Sequence, residues 1–373
     1  MSKEKAAKKR APAPSRTPTI AGLRAKIDRL DQELVGIMNQ RAKLALAIGK
    51  LKNTSGISAY APAREDEVLS RVTALSKGPL SDRCIRAIFR ELISGSRALE
   101  KTLRVAYLGP AYSYSHLAAI HRFGQSVELV PVSNIAAVFE EIHRGHVDFG
   151  VVPIENSTDG RVADTLDMFA RLPARICGEV QLRIHHNLLG KGSRAEVAEV
   201  YSKPQALSQC RNWLARHLPG ARTIEVTSTT TAAQLAQDKP GAAAIASLQA
   251  GVHYGLDVLA ADIEDNPGNL TRFAVIGDDT GPRTGTDKCA LMFEVAHQPG
   301  SLADAMNVFK RNRLNLTWIE SFPIARPEGG YLFFVELEGH EQDPRVRKAI
   351  RALGRKAIRL EVLGSYARMA PVE

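Results

Sequence analysis

Cysteine, aromatic residues and long apolar runs are all scarce in this chain. The four cysteines are Cys84, Cys177, Cys210 and Cys289, and they form neither a CxxC pair nor a Cys/His cluster at metal-ligand spacing. We therefore expect reduced thiols, no structural metal and no cofactor. The longest apolar stretches, such as 147–154, are far shorter than the roughly 20 residues that a membrane helix needs. The sequence predicts a soluble protein with no membrane association.

The net charge of +10 is distributed unevenly along the 373 residues. Residues 1–18 contain six basic residues and one acidic residue, and they are rich in Ala and Pro, which predicts a disordered basic tail. This tail lacks the apolar segment of a secretory signal, so we expect a cytoplasmic location. Aromatic residues make up 6% of the chain and do not alternate with basic ones, which argues against nucleic acid as a partner. The remaining basic charge suits small anionic substrates.

Residues 19–101 show helical periodicity throughout. Apolar residues at 20, 23, 27, 30, 34, 37, 44, 48 and 51 follow a spacing of three and four, which predicts one long helix with a coiled-coil seam. Two shorter segments repeat the helical spacing, so the region is predicted to be an all-α domain of three helices. Two short helices cannot cover the seam of the long one. We therefore expect a homodimer or a higher homo-oligomer.

Several polar residues interrupt the apolar faces of these helices. Arg41 occupies a seam position, Glu65 lies on the apolar face of the second helix, and Ser96 and Glu100 are one turn apart in the third. Lys52 follows Arg41 by eleven residues, which places both within about 20° around the helix. These groups can converge on one polar pocket. The alternative is that Arg41 extends out to solvent or simply pairs with Glu65.

The segment LRAKIDRLDQELVGIMNQRAKLALAIGKLK resembles the first helix of the all-helical chorismate mutases. The resemblance implies that the substrate carboxylates are bound by Arg41 and by Arg24 of a second protomer, and that Glu65 binds the hydroxyl. It also implies roles for Lys52, Ser96 and Glu100. A distance of about 26 Å along the helix keeps Arg24 away from Arg41 of its own chain. The pericyclic reaction needs no nucleophile or metal, and Lys52, or Glu100 if protonated, can donate to the ether oxygen.

Residues 103–279 alternate between β-rich runs and helical segments, and the pattern restarts after RIHHNLLG. We predict two α/β lobes with mostly parallel sheets, joined by a crossing strand and separated by a cleft. Polar clusters follow several of the predicted strands, where α/β sheets bind ligands. The clusters comprise Asn156 and Ser157; Ser202, Gln205 and Gln209; Ser228, Thr229 and Thr230; and Thr271, Arg272 and Phe273. When such a cluster occurs alone, its residues most often serve only to cap a helix.

Together the strings VVPIENS, YSKPQALSQC, TSTTTAA and NLTRFAVIG resemble prephenate dehydratase, a two-lobed, periplasmic-binding-protein-like family. The resemblance implies that Thr271 donates to the leaving hydroxyl and that Arg272 and the helix start at Ser228 hold the carboxylates. The remaining polar residues would surround the ring. In the first motif, GPAYSYSH, Ala111 and Tyr112 replace the usual Glu and Gly. Two alternatives stay open, namely a preference for arogenate and a binding protein without turnover.

The final region, 286–366, shows the order βαββαβ, which predicts a ferredoxin-like module. It resembles the ACT domains of the dehydratase family, with Ser301 in place of Ala and Phe322 in place of Arg. The resemblance implies that phenylalanine binds as an effector to two strings, consisting of Gly300, Ser301 and Leu302, and of Asn315, Leu316, Glu320 and Ser321. The alternative is a dimerisation surface alone. The whole chain is therefore interpreted as a bifunctional enzyme that converts chorismate through prephenate to phenylpyruvate.

Overall fold

The computed structural model describes residues 19–54, 60–278, 281–324 and 330–372. The predicted basic tail, 1–18, lies outside the described residues. The chain forms two units, Met1–Ile57 and Ser58–Glu373.

Within the first unit, the described residues form one helix, α1 (Ile20–Thr54), of 35 residues. It begins where the Thr19 hydroxyl accepts a hydrogen bond from the Gly22 amide at 3.1 Å, and no proline interrupts it. The predicted long helix is confirmed. Its apolar seam is exposed, as Leu30 (61%) and Leu44 (68%) show.

The second unit begins with two helices, α2 (Pro62–Leu75) and α3 (Asp82–Ala98). Pro62 stands at the first helical position of α2, where its missing N–H is harmless. Ser81 caps α3 by accepting from the Cys84 amide at 3.3 Å. The three predicted helices are thus all present, although Glu100 lies in the turn after α3 rather than within it.

The first lobe follows directly along the chain. Its elements are β1 (Arg104–Leu108), α4 (Tyr114–Phe123), β2 (Glu128–Val132), α5 (Ile135–His143), β3 (Phe149–Asn156), β4 (Gly160–Arg161), α6 (Ala163–Arg171) and β5 (Arg175–Arg183).

The second lobe follows after a short crossing segment. It contains β6 (Asn187–Gly190), β7 (Glu199–Ser202), α7 (Pro204–Gln209), α8 (Arg211–His217), β8 (Arg222–Glu225), α9 (Thr229–Asp238), β9 (Ala242–Ala246), α10 (Leu248–Tyr254) and β10 (Asp257–Ala260). Strand β11 (Leu270–Gly277) then returns to the first lobe.

Both sheets are mostly parallel, as predicted, but each also contains a strand that runs against the other four strands of its main path. The first sheet has the order β2-β1-β3-β11-β5, and the second has the order β10-β6-β9-β7-β8. β1 pairs parallel to β2 and β3, but β11 is antiparallel to both β3 and β5. β6 is likewise antiparallel to β9 and β10. The cause is that the chain crosses between the lobes twice, and each crossing strand enters its sheet against the parallel direction. The sequence pattern revealed only the first crossing, between β5 and β6.

The terminal module has the predicted βαββαβ order. Its elements are β12 (Asp287–Val295), α11 (Ser301–Arg311), β13 (Leu316–Pro323), β14 (Tyr331–Glu338), α12 (Pro344–Gly354) and β15 (Ala357–Ala367). The sheet order is β13-β14-β12-β15. Alternate residues of β12 point to opposite faces. Leu291 and Phe293 join the core under the two helices, whereas Ala290 and Met292 join the core of the first lobe. The terminal module and the first lobe therefore share a hydrophobic core.

Candidate functional site

Thr271 lies at the start of β11, between β3 and β5, where it is opposite Asn156 and Leu182. The Asn156 side-chain amide donates to the Thr271 Oγ1 at 2.7 Å. The Asn156 Oδ1 accepts from the backbone amides of Thr158 and Asp159 at 3.0 and 3.2 Å, which fixes the orientation of the amide. Because the Thr271 oxygen accepts this bond, the hydroxyl proton is left to donate elsewhere.

A relay of amides connects Thr271 to the second lobe. Asn156 also donates to the Asn269 Oδ1 at 3.1 Å, and the Asn269 amide donates to the Gln209 Oε1 at 3.0 Å. The His186 Nε2 lies 2.8 Å from the same Gln209 oxygen, so that nitrogen carries the proton. Burial lowers the pKa of His186, although the bond to Gln209 opposes this shift. His186 therefore belongs to the same relay.

Asp159 joins the two lobes at this point. It follows β3 in the first lobe, and its Oδ2 accepts from the Gln209 Nε2 at 2.9 Å and from the Gln205 Nε2. Both glutamines lie on α7 of the second lobe. Sequence reasoning missed Asp159 and Asn269, although each is within three residues of a predicted site residue.

Two predicted serines use their hydroxyls within the fold. Ser202 is fully buried and donates to the carbonyl of Ile245, which ties β7 to β9. Ser157 donates to the carbonyl of Gly268 and accepts from the Leu270 amide at 2.9 Å. Ser157 therefore anchors the returning segment that carries Asn269.

The start of α9 is a candidate anion site of the kind that helix N-termini provide. Ser228 caps the helix by accepting from the Thr231 amide at 2.9 Å. Thr229 and Thr230 are buried, and the Thr230 hydroxyl has no hydrogen-bond partner among the described residues. A buried hydroxyl without a partner is costly, which suggests that a ligand completes it.

Arg272 and Phe273 point away from this arrangement of groups. Phe273 is buried in the core of the first lobe. The Arg272 guanidinium binds Glu155 at 2.7 Å, Glu179 at 3.2 Å and Glu336 of the terminal module. Consecutive strand residues face opposite sides, so Arg272 lies on the other face of β11 from Thr271.

The first dehydratase motif contains an unusual backbone conformation. Tyr112 has φ 66°, in the left-handed region that favours glycine, which explains why glycine is usual here. Its ring stacks on His253 of the second lobe, with centroids 4.0 Å apart. Ser247 donates to the Tyr112 carbonyl at 3.2 Å. The replacement of glycine thus adds a contact between the lobes.

A histidine and two carboxylates cluster where the chain crosses between the lobes. The His185 Nδ1 lies 2.9 Å from Glu264 and 3.3 Å from Asp262. The Glu264 carboxylate also accepts from the His186 amide at 2.8 Å. Because both carboxylates share one imidazole nitrogen, we interpret the cluster as a hydrogen-bonded brace.

The mutase residues of α1 occupy one uninterrupted helix. Seventeen residues separate Arg24 from Arg41, which corresponds to about 26 Å along the axis. Arg41 is half-buried, and burial lowers the pKa of its guanidinium. Lys52 lies on the same side of the helix as Arg41, within about 20°.

The other predicted mutase residues belong to the second unit. The Glu65 carboxylate pairs with Arg97, a buried residue that the sequence did not indicate. The Arg97 guanidinium also donates to the Phe123 carbonyl of the first lobe at 2.5 Å. Ser96 donates to the Leu92 carbonyl at 2.6 Å. One buried oxygen of Glu100 has no partner among the described residues.

The predicted effector residues fall into two groups. Gly300, with φ 87°, precedes α11 and lies at the end of the sheet where β12 and β13 both terminate. Glu320 and Ser321 are close to that end. Asn315 immediately precedes β13 at the opposite end, about 20 Å from Ser321 along the strand. The Phe322 side chain packs against the core shared with the first lobe.

Comparison with known proteins identifies the family. The chain matches chorismate mutase type II over residues 23–101, prephenate dehydratase over 105–281 and the ACT domain over 290–355. The bifunctional chorismate mutase/prephenate dehydratase of Stutzerimonas stutzeri is 41% identical over 94% of this chain and 98% of its own. The bifunctional enzyme of Aquifex aeolicus is 42% identical over 92% of this chain and 96% of its own. The chain belongs to the bifunctional chorismate mutase/prephenate dehydratases.

A solved structure supports the assignment. The prephenate dehydratase of Arthrobacter aurescens, in complex with L-Phe, is 32% identical and superimposes with a TM-score of 0.66. The match covers 71% of this chain and 90% of that one. As a bifunctional chorismate mutase/prephenate dehydratase, the chain converts chorismate to prephenate and prephenate to phenylpyruvate. No helix among the described residues is long and apolar enough to cross a membrane, and a cytoplasmic location stays a prediction.

Proposed function

We propose that Thr271 is the hydrogen-bond donor to the leaving hydroxyl of prephenate. The observation that carries the proposal is the bond from Asn156 to Thr271, because it occupies the oxygen and leaves the proton for the substrate. The reaction expels carbon dioxide and hydroxide and makes the ring aromatic, so the driving force lies in the substrate. A threonine hydroxyl is too weak an acid to ionise at neutral pH. It therefore donates a hydrogen bond, or relays a proton through water, as the hydroxide departs.

The residues around Thr271 position the substrate. The start of α9 offers backbone N–H groups, a positive dipole end and the unpartnered Thr230 hydroxyl, which suit a carboxylate. Gln205 and Gln209 line the second-lobe side of the cleft, and Asp159 orients both of their amides. Arg272 holds no substrate carboxylate, because its guanidinium already has three carboxylate partners.

The mutase step is assigned to the residues that the resemblance indicates. Arg24, Arg41, Lys52, Glu65, Ser96 and Glu100 hold the chorismate dianion and stabilise charge on its ether oxygen. The uninterrupted α1 keeps Arg24 of one chain about 26 Å from its own Arg41, which supports a site built by two chains. The exposed apolar seam of α1 supports the same homodimer.

Phenylalanine is the effector assigned to the ACT domain. The complex of the Arthrobacter aurescens relative with L-Phe supports this assignment. In one chain Asn315 and Leu316 lie at the opposite end of the sheet from Gly300, so the second string as a whole cannot join the first in one site. We therefore assign the effector site to two copies of the chain, each of which contributes one string.

The proposal for Thr271 is tested with full-length Thr271→Val and Thr271→Ser. Valine keeps the shape and removes the hydroxyl, so phenylpyruvate formation should fall by about 100-fold or more. Serine keeps the hydroxyl and should retain most of the activity. The mutase rate on chorismate, measured in the same samples, should match the wild type in both variants. A Thr271→Val enzyme that dehydrates prephenate at a rate close to that of the wild type would contradict the proposal.

A further inference from the structure

A buried cluster of charges lies where the first lobe meets the terminal module. The exposed fractions of the side chains are 12% for Arg272, 7% for Lys288, 2% for Glu179 and 1% for Glu336. Removing such groups from water is expensive, and an apolar interface of the same size is often equally stable. Stability alone therefore does not explain the cluster.

The geometry of the cluster centres on Arg272. Glu155 on β3, Glu179 on β5 and Glu336 on β14 each bind its guanidinium. Glu336 also accepts a hydrogen bond from the Tyr366 hydroxyl at 2.5 Å. Lys288 binds Glu179 at 2.9 Å. Burial opposes the charge of Glu179, but Lys288 and Arg272 together hold the pKa of its carboxyl below the ordinary value.

Arg272 is adjacent to Thr271 and lies beside an irregular point of the neighbouring strand. The register between β11 and β3 shifts between Arg272 and Phe273 because β3 has one extra residue there, Ile154, next to Glu155. Bulges near active sites redirect side chains, and here the residue beside the bulge is a partner of Arg272. Arg272 is held on the far side of β11, which fixes the backbone that aims Thr271 into the cleft.

We propose that Glu336 of the ACT domain is a positioning residue of the dehydratase, which holds Arg272 and thereby keeps the Thr271 hydroxyl aligned with prephenate. The inference rests on the proposed role of Thr271. It means that the terminal domain supplies part of the support of the catalytic strand, in addition to any effector site.

The same contacts reach the strand that carries the predicted effector residues. Glu336 is opposite Trp318 of β13, and the Arg272 guanidinium lies over the Trp318 ring, 6.0 Å from its centroid. A second contact joins Glu320 of β13 to Arg161 of β4 at 3.3 Å. Arg161 is the cross-strand neighbour of Glu155. A displacement of β13 would therefore reach both sides of Arg272.

The test uses Glu336→Gln in the full-length protein, with Glu338→Gln as the matched control. Glu338 lies two residues along the same strand, but its side chain is 49% exposed and its ion pair with Arg368 is long, at 3.7 Å. In Glu336→Gln the cations Arg272 and Lys288 still have the carboxylates of Glu155 and Glu179 as partners. The fold should therefore persist. The kcat on prephenate should fall about tenfold while KM stays within about twofold, because the donor is misaligned and the rest of the cleft is intact. The mutase rate and the unfolding midpoint should match those of Glu338→Gln.

A second variant covers the case in which Glu336→Gln does not fold. Tyr366→Phe removes only the hydroxyl that donates to Glu336, and it should lower the dehydratase kcat about threefold with an unchanged mutase rate. Thr271→Val is assayed in parallel. The inference is overturned if Thr271→Val is inactive and Glu336→Gln keeps the wild-type kcat. If Glu336→Gln is unfolded, a wild-type kcat in Tyr366→Phe overturns the inference instead. If Thr271→Val is active, the proposed role of Thr271 fails and the inference fails with it.

Discussion

The Tyr112 ring of the first lobe stacks on the His253 imidazole of the second, with an interplanar angle of 23°. Tyr112 makes this contact from a left-handed backbone conformation, with φ 66°. Two opposing effects therefore act at one position. The conformation costs roughly 1 kcal/mol for a residue with a Cβ, and the stacked pair contributes a similar amount.

Substitutions at Tyr112 should separate these two effects. Tyr112→Ala keeps the strain and loses the stacking, so it should destabilise the dehydratase lobes by about 1 kcal/mol. Tyr112→Gly loses the stacking but also the strain, so it should be more stable than the alanine variant by roughly 1 kcal/mol. The measurement is urea unfolding of the full-length variants, followed by tryptophan fluorescence. Equal midpoints for alanine and glycine would show that the backbone of residue 112 is not strained.

A buried ion pair joins α2 to α4, and the stability of the protein should depend on its carboxylate, that of Asp66. Arg122 is 8% exposed, and it binds Asp66 at 3.1 Å and the Tyr60 hydroxyl at 2.6 Å. Asp66→Ala leaves a buried cation without its carboxylate, which should cost about 3 kcal/mol of unfolding free energy. The neighbouring Glu67 has an exposed ion pair with Arg64, at 2.6 Å, and serves as the control. Glu67→Ala should change stability by less than about 0.5 kcal/mol. A similar loss in both variants would argue against the buried pair.

The structure shows which features a sequence can reveal. The seam spacing of α1 depends only on neighbours along the chain, so the helix could be predicted from Ile20 onward. The alternation in β12 and the order βαββαβ are equally local. The amide relay through Asn156, Asn269 and Gln209 is different, because it joins residues that are 113 and 60 positions apart.

Arg272 shows why local motifs assign roles incompletely. Its position next to Thr271 suggested a substrate carboxylate, but its partner Glu336 lies 64 residues further along, in another domain. Nothing in the sequence around Glu336 distinguishes it from an ordinary strand residue. The antiparallel direction of β6 and β11 was missed for the same reason, because it depends on how the chain crosses between the two lobes.

Acid should destabilise the first lobe through His121. Burial, followed by the charges of Arg90, Arg122 and Arg86, lowers the pKa of His121 from 6.5 to about 3. Its Nε2 lies 3.0 Å from the Arg90 guanidinium, so the folded state keeps the ring neutral. A depressed folded pKa means that the stability is complete above pH 6.5 and declines as the pH falls toward about 3.

The expected loss from His121 is about 2 kcal/mol by about pH 5. His121→Gln keeps an acceptor for Arg90 and does not titrate, so its unfolding free energy should decline less between about pH 6.5 and pH 5. Burial also lowers the pKa values of His116 and His186. Part of the decline in unfolding free energy should therefore remain in His121→Gln. Denaturant unfolding at several pH values tests this. Parallel pH profiles for the wild type and His121→Gln would contradict the prediction.

Mutase activity should require two chains, because α1 keeps Arg24 and Arg41 of one chain about 26 Å apart. Arg24→Ala and Arg41→Ala homodimers should each lose the mutase reaction, since each lacks one carboxylate-binding cation in every site. Both should still dehydrate prephenate, because Thr271 and its amide relay are unchanged, and this activity confirms that each variant is folded. Mixing the two variants should restore up to roughly a quarter of the wild-type mutase rate. Random exchange makes half of the dimers hybrids, and each hybrid has one intact site of two. Subunit exchange is verified with a size-tagged copy, and exchange without recovery would show that each mutase site is built from a single chain.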